Sequence, residues 1–137
     1  LKLLSSNRVE YLLIGGYAVG IHGHIRATND LDVWVNISPE NAARIDRALR
    51  EFGFAAAGLN PGLFLERNHV VRMGVPPIRI EILTSVSGVD FDACYAERET
   101  IRIQEIEVPV ISLGRLRQNK AASGRAKDLA DLESLPE

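Results

Sequence analysis

Two aspartates separated by one residue, Asp30 and Asp32 in the segment DLDVWV, carry the strongest chemical suggestion in this chain. Side chains on an extended strand alternate faces. Both carboxylates therefore project to one side, while Leu31 and Val33 point to the other, into a core. Like charges at neighbouring same-face positions repel, which is a poor way to build a plain sheet. A divalent cation removes the problem, because hard cations such as Mg²⁺ take carboxylate oxygens and usually share them with substrate phosphates. Upstream, the apolar run YLLI ends in Gly15-Gly16. Glycines let a backbone approach a ligand closely, and N–H groups at a helix start attract anions. Alone, a Gly pair is most often a turn, and two aspartates can be a solvated strand start. Together they describe half of a cation site and half of a phosphate site.

The order of pieces is more specific: strand, Gly15-Gly16, helix, Arg26-Ala27-Thr28, then Asp30-Leu31-Asp32 leading a strand. That order resembles the minimal nucleotidyltransferases of the DNA polymerase β-like superfamily, whose pattern is Gly-Gly or Gly-Ser followed by Asp-x-Asp. It resembles most the stand-alone prokaryotic branch related to AbiEii-type toxins, in which Arg-x-Thr precedes the aspartates. The resemblance implies an α+β fold of the polymerase β palm type. It also implies transfer of a nucleoside monophosphate from an NTP to a hydroxyl, assisted by Mg²⁺ or Mn²⁺. Two metals ~3.5–4 Å apart need more than two carboxylates. The superfamily takes a third acid from a neighbouring strand, and Glu81 in RIEIL is the match. Relatives commonly have Asp there. Glu81 can ligate with its longer side chain, or be an exposed strand acid.

By the same resemblance Arg26 and Thr28 lie near the triphosphate, where a planar guanidinium suits phosphate oxygens. The plainer reading makes Arg26 a surface residue bridging to Asp30. A second matching piece is LGRLRQNKAASGRAKDLADLESL, residues 113–135. In the family a Lys on one helix precedes Arg-x-Lys-Asp-x-x-Asp on the next, which makes Lys120 the candidate for the β/γ-phosphates. Helical spacing offers another account of this region, an i,i+4 pair Lys127–Asp131 and an i,i+3 pair Arg125–Asp128. His22 and His24 lack a third partner for zinc and read as packing or hydrogen-bonding residues. His69 is isolated. Cys94 has no His or Asp at a motif spacing and is not expected to be a catalytic thiol.

The elements that must position these residues follow from pattern. Tyr11–Ile14 reads as a buried strand, Tyr17–His24 as a short helix, and Leu31–Val35 as the acid-bearing strand. Ser38-Pro39 starts a helix that ends at Gly53, with Ala42, Ile45, Ala48, Leu49 and Phe52 at helical spacing. Residues 55–68 lack periodicity and read as loop with one turn of helix. His69–Met73 and Ile78–Leu83 are strands around Pro76-Pro77. Arg79, Glu81 and Leu83 fall on one face of the second, Ile78, Ile80 and Ile82 on the other. Phe91–Arg98 reads as a short helix, Ile101–Ile103 and Glu107–Ile111 as strands, and 112–123 and 125–135 as two helices about Gly124. The expected architecture is one domain over 1–137, a mixed sheet with helices mainly on one face and a helical element at 112–135.

Composition narrows the function. The chain has 137 residues, 46% apolar and 25% charged, as expected for a globular domain. Its formal charge of −2 provides no global field for nucleic acid. Local binding of a polyanion would fall to arginines, which outnumber lysines 13 to 3. One cysteine excludes an internal disulfide and fits a reducing cytoplasm. No run is long and apolar enough to span a bilayer. The expected partners are an NTP and an acceptor: RNA (tRNA in toxin-like relatives), a partner protein or a small molecule. A cognate toxin or antitoxin chain belongs to the same expectation, and a non-catalytic antitoxin-type binder is the alternative. A metal-dependent phosphohydrolase is disfavoured by the lack of a histidine beside the acids to activate water.

Overall fold

The computed structural model describes residues 1–23, 30–53, 61–75, 78–103 and 105–136. Among them a six-stranded mixed sheet runs in the order β3-β4-β2-β1-β6-β5. The strands are β1 (Tyr11–Ile14), β2 (Asp30–Val35), β3 (Val70–Val75), β4 (Ile78–Leu83), β5 (Glu99–Ile103) and β6 (Ile106–Val110). The helices are α1 (Lys2–Ser6), α2 (Gly15–Ile21), α3 (Pro39–Phe52), α4 (Phe91–Ala96), α5 (Leu113–Ser123) and α6 (Ala126–Ser134), with a 3-10 turn at Pro61–Phe64. This is the expected α+β architecture. β1 pairs antiparallel with β2 and parallel with β6, and β2 pairs parallel with β4. Hairpin pairings β3–β4 and β5–β6 complete the two edges.

β1 reads as an apolar run because both of its faces meet protein, and all four of its residues are buried. On one face Leu31, Val33, Ile80 and Ile82 meet Leu4 of α1 and Ala48 and Leu49 of α3. α3 forms as its sequence suggests. Ser38 accepts a hydrogen bond from the Asn41 N–H at 3.1 Å, Pro39 sits in the first turn, and Gly53 closes the helix at φ 103°. Ala42, Ile45, Ala48 and Leu49 are buried, but Phe52, at the helix end just before the chain turns at Gly53, is 60% exposed. Asn41 ties α3 to the start of β1. Its amide donates to the carbonyls of Glu10 and Asn36 and accepts from the Glu10 N–H.

One boundary differs from expectation in a way that matters for the site, and another holds. α2 begins at Gly15, not Tyr17. Gly15 adopts φ 69°, so the chain turns from strand to helix with no separate loop. At the other end, α5 and α6 are joined through Gly124 at φ 67°, a left-handed cap that folds α6 back against α5. Among the described residues no helix is long and apolar enough to cross a membrane.

Candidate active site

The ladder register brings the acids together. Asp32 lies opposite Ile14 on one side and Glu81 on the other, and Asp30 lies opposite Arg79. Paired positions share a face, so Asp30, Asp32 and Glu81 project from neighbouring strands into one cavity of about 790 Å³. Gly15 and Gly16 line it beside the acids, and Lys120, Arg125 and Lys127 reach it from the α5–α6 side. Arg26 and Thr28, like His24, fall outside the described residues.

The three carboxylates sit in unlike environments. Asp30 accepts both arms of the Arg79 guanidinium, at 2.7 and 3.1 Å, and the hydrogen bond from Arg79 holds its carboxyl below the usual range. Glu81 accepts from Arg72 Nε at 2.9 Å and has Arg79 Nη2 at 3.8 Å. Oδ1 of Asp32 is buried with no hydrogen-bond partner. Burial, with Glu81 and Asp30 adding like charge, pushes the Asp32 carboxyl up to about 6. The acids share a face, with the Glu81 carboxyl close enough to act directly on Asp32. Among the described residues no three His, Cys, Asp or Glu side chains are gathered as a set that could hold a metal ion.

Gly15 permits this crowding. A Cβ at this position would overlap Oδ2 of Asp32, and the positive φ disfavours any side chain. Gly15→Ala is therefore expected to destabilise the fold by at least the ~1–2 kcal/mol of a left-handed alanine, and to displace Asp32. Denaturant melts together with nucleotide binding check this; a variant unchanged in both would show that the strand–helix turn has slack.

The α5–α6 wall is an ion network. Ser112 caps α5. Lys120 is only 4% exposed, and its ammonium lies 3.1 Å from Asp128 Oδ1 and 3.2 Å from Asp131 Oδ2. Asp128 is fully buried, which alone would raise its pKa. Hydrogen bonds from Arg125, Ser123 and Lys120 outweigh burial and hold it far below the usual range. The helical pair Arg125–Asp128 thus forms, at 2.7 Å. Asp131, assigned by spacing to Lys127, instead reaches back to Lys120.

The remaining described candidates do not line the cavity. His22 Nε2 hydrogen-bonds the Ile111 carbonyl at 2.7 Å, and His69 lies 2.9 Å from Glu66. Cys94 is buried, which pushes its thiol up, away from the reactive thiolate. Pattern reading missed Arg72 and Arg79 as members of the site. The alternation that puts Arg79 and Glu81 on one face was the available signal for Arg79.

Comparison with known proteins bears on the fold and the family. The chain is similar in structure to a candidate nucleotidyltransferase from Thermotoga maritima, with a TM-score of 0.63 and 19% identity, over 97% of this chain and 85% of that one. At that identity the likeness speaks for the fold alone. No curated protein matches the chain. The family described as aminoglycoside-2''-adenylyltransferase matches residues 1–135. The chain belongs to that family, and it is a minimal nucleotidyltransferase in family and fold.

Proposed function

We propose that the protein transfers a nucleoside monophosphate from an NTP to a hydroxyl group with the help of divalent cations held by Asp30, Asp32 and Glu81. The observation that carries this reading is the buried, partnerless Oδ1 of Asp32 beside two further carboxylates on the same face. A buried carboxylate oxygen without a partner is costly, and an all-oxygen donor set of this kind fits Mg²⁺ or Mn²⁺. When bound, such ions neutralise the charge that develops on the transferring phosphoryl group.

The chain's own residues then bind and orient. Gly15 and Gly16 offer backbone N–H groups to the phosphates without side chains in the way. Lys120 has three donors, of which Asp128 and Asp131 take two, leaving one for a β- or γ-phosphate oxygen. Arg26 and Thr28 are assigned to the triphosphate on the motif alone. The family's description supports ATP as donor and a sugar hydroxyl of a small molecule as acceptor. A tRNA or a partner protein, as in toxin–antitoxin systems, is the second acceptor class to be tried.

The test incubates the protein and Mg²⁺ with each α-labelled NTP and, separately, aminoglycosides, a tRNA pool and a cell lysate. Label should move from one NTP to one acceptor class, and the transfer should be lost in Asp30→Asn and Glu81→Gln. Nucleotide binding without transfer to any acceptor would favour the non-catalytic reading.

A further inference from the structure

Arg79 and Arg72 are a feature of the cavity that nucleotidyl transfer does not by itself require. Arg79 places both arms of its guanidinium on Asp30, at 2.7 and 3.1 Å, and its Nη2 lies 3.8 Å from Glu81. Arg72 covers Glu81 from the sheet edge at 2.9 Å. Two of the three acids are thus tied to cations that the protein itself supplies, which is consistent with the lack of a converged metal set among the described residues. A cation that binds Asp30 competes with Arg79 for its two oxygens.

We propose that Arg79 is a latch on the acid cluster. It holds Asp30 while the site is empty of nucleotide, and it releases Asp30 to a divalent cation when a triphosphate arrives to receive its guanidinium. The inference rests on the cation-assisted reading above and adds the order in which the site fills. Three properties of the residue support it. Its side chain is about one-third exposed and lines the cavity, so it has room to turn inward. A guanidinium fork matches two phosphate oxygens as well as two carboxylate oxygens, so it can exchange one bidentate partner for another. An ion pair this exposed to solvent is also cheap to break.

Charge balance gives the direction. Among the described residues that line the cavity, four carboxylates stand against five cationic side chains, close to neutrality. Two divalent cations entering alone would leave the face strongly positive, whereas cations entering with a triphosphate keep it near balance. Free cations should therefore bind weakly, and nucleotide and cation should promote each other's binding.

Mn²⁺, followed by the electron paramagnetic resonance of the free ion, tests this on the full chain. Titrations are run with and without α,β-methylene ATP, which phosphoryl transfer at the α-phosphate cannot cleave, and the Mn²⁺ bound by the nucleotide alone is subtracted. Wild type should bind Mn²⁺ at least tenfold more tightly with the nucleotide than without it. Arg79→Met should bind Mn²⁺ at least tenfold more tightly than wild type without nucleotide, and the enhancement by nucleotide should shrink. Arg72→Met should have a smaller effect, because that guanidinium is more exposed and leaves Asp30 untouched. If Arg79→Met does not fold, Arg79→Lys carries the test. A point charge cannot grip both oxygens of Asp30, so the affinity without nucleotide should still rise. The latch is overturned, with the transferase reading intact, if both proteins bind Mn²⁺ with nucleotide but the variant binds it no better without. If neither binds Mn²⁺ even with nucleotide, the latch and the cation-assisted reading fall together.

Discussion

Asp32→Asn should abolish nucleotidyl transfer and, without metal at pH 8, give a protein more stable than wild type. The two effects have one cause. The Asp32 carboxyl is pushed up to about 6, first by burial and then by Glu81 and Asp30. Its charged form is thus a cost that only a bound cation offsets. Its folded pKa exceeds the unfolded value of 3.8, so the native state binds the extra proton between those values and wild-type stability falls as pH rises through about 4 to 6. An uncharged Asn escapes that cost. Its advantage should be about 1–3 kcal/mol at pH 8 and fade as pH drops through 6 towards 4. Thermal melts of both proteins across pH 4–8 in a chelator give the comparison. A variant clearly less stable at pH 8 would mean that the acid serves structure.

Lys120→Met should produce the largest loss of stability of any single change considered. Lys120 lies between two buried carboxylates, and removing it leaves Asp131 without this ammonium, though Asp128 keeps Ser123 and Arg125. Breaking a buried ion pair from one side typically costs about 3–5 kcal/mol. Coupling it with Asp131→Leu should restore much of that, since apolar groups often replace buried ion pairs at little cost. The double variant then separates the two roles of this lysine. If the third N–H of Lys120 reaches a β- or γ-phosphate, triphosphate affinity should stay reduced roughly tenfold to a hundredfold in the refolded double variant. Monophosphate affinity should hardly change. Equal, small effects on both nucleotides would leave Lys120 as a clasp between α5 and α6 only. Calorimetric titration with the two nucleotides distinguishes these outcomes.

Much of this site is legible in local pattern. Strand alternation alone puts Asp30 and Asp32 on one face and Arg79 with Glu81 on one face, and the structure has them so. Ser38-Pro39 and Gly53 bound α3, and Ser112 and Gly124 bound α5, because caps act through backbone groups within a few residues. The Gly15-Gly16 signal was right in type and wrong in detail. The glycines open the helix themselves, because the positive φ of Gly15 makes a linking turn unnecessary.

Only the tertiary structure decided which strand lies beside which. A period of two assigns a face, but it does not say that β4 runs parallel to β2 with Glu81 opposite Asp32. That register is set by burying Leu31, Val33, Ile80 and Ile82 together beneath α1 and α3. The charge pairs between elements were equally out of reach. Arg79 meets Asp30 across 49 residues, and Lys120 meets Asp128 and Asp131 across the bend at Gly124. The i,i+4 rule applies to neighbours on one helix, and so it assigned Asp131 to Lys127. Burial overruled that assignment, because a carboxylate enclosed between two helices is held by the cation enclosed with it.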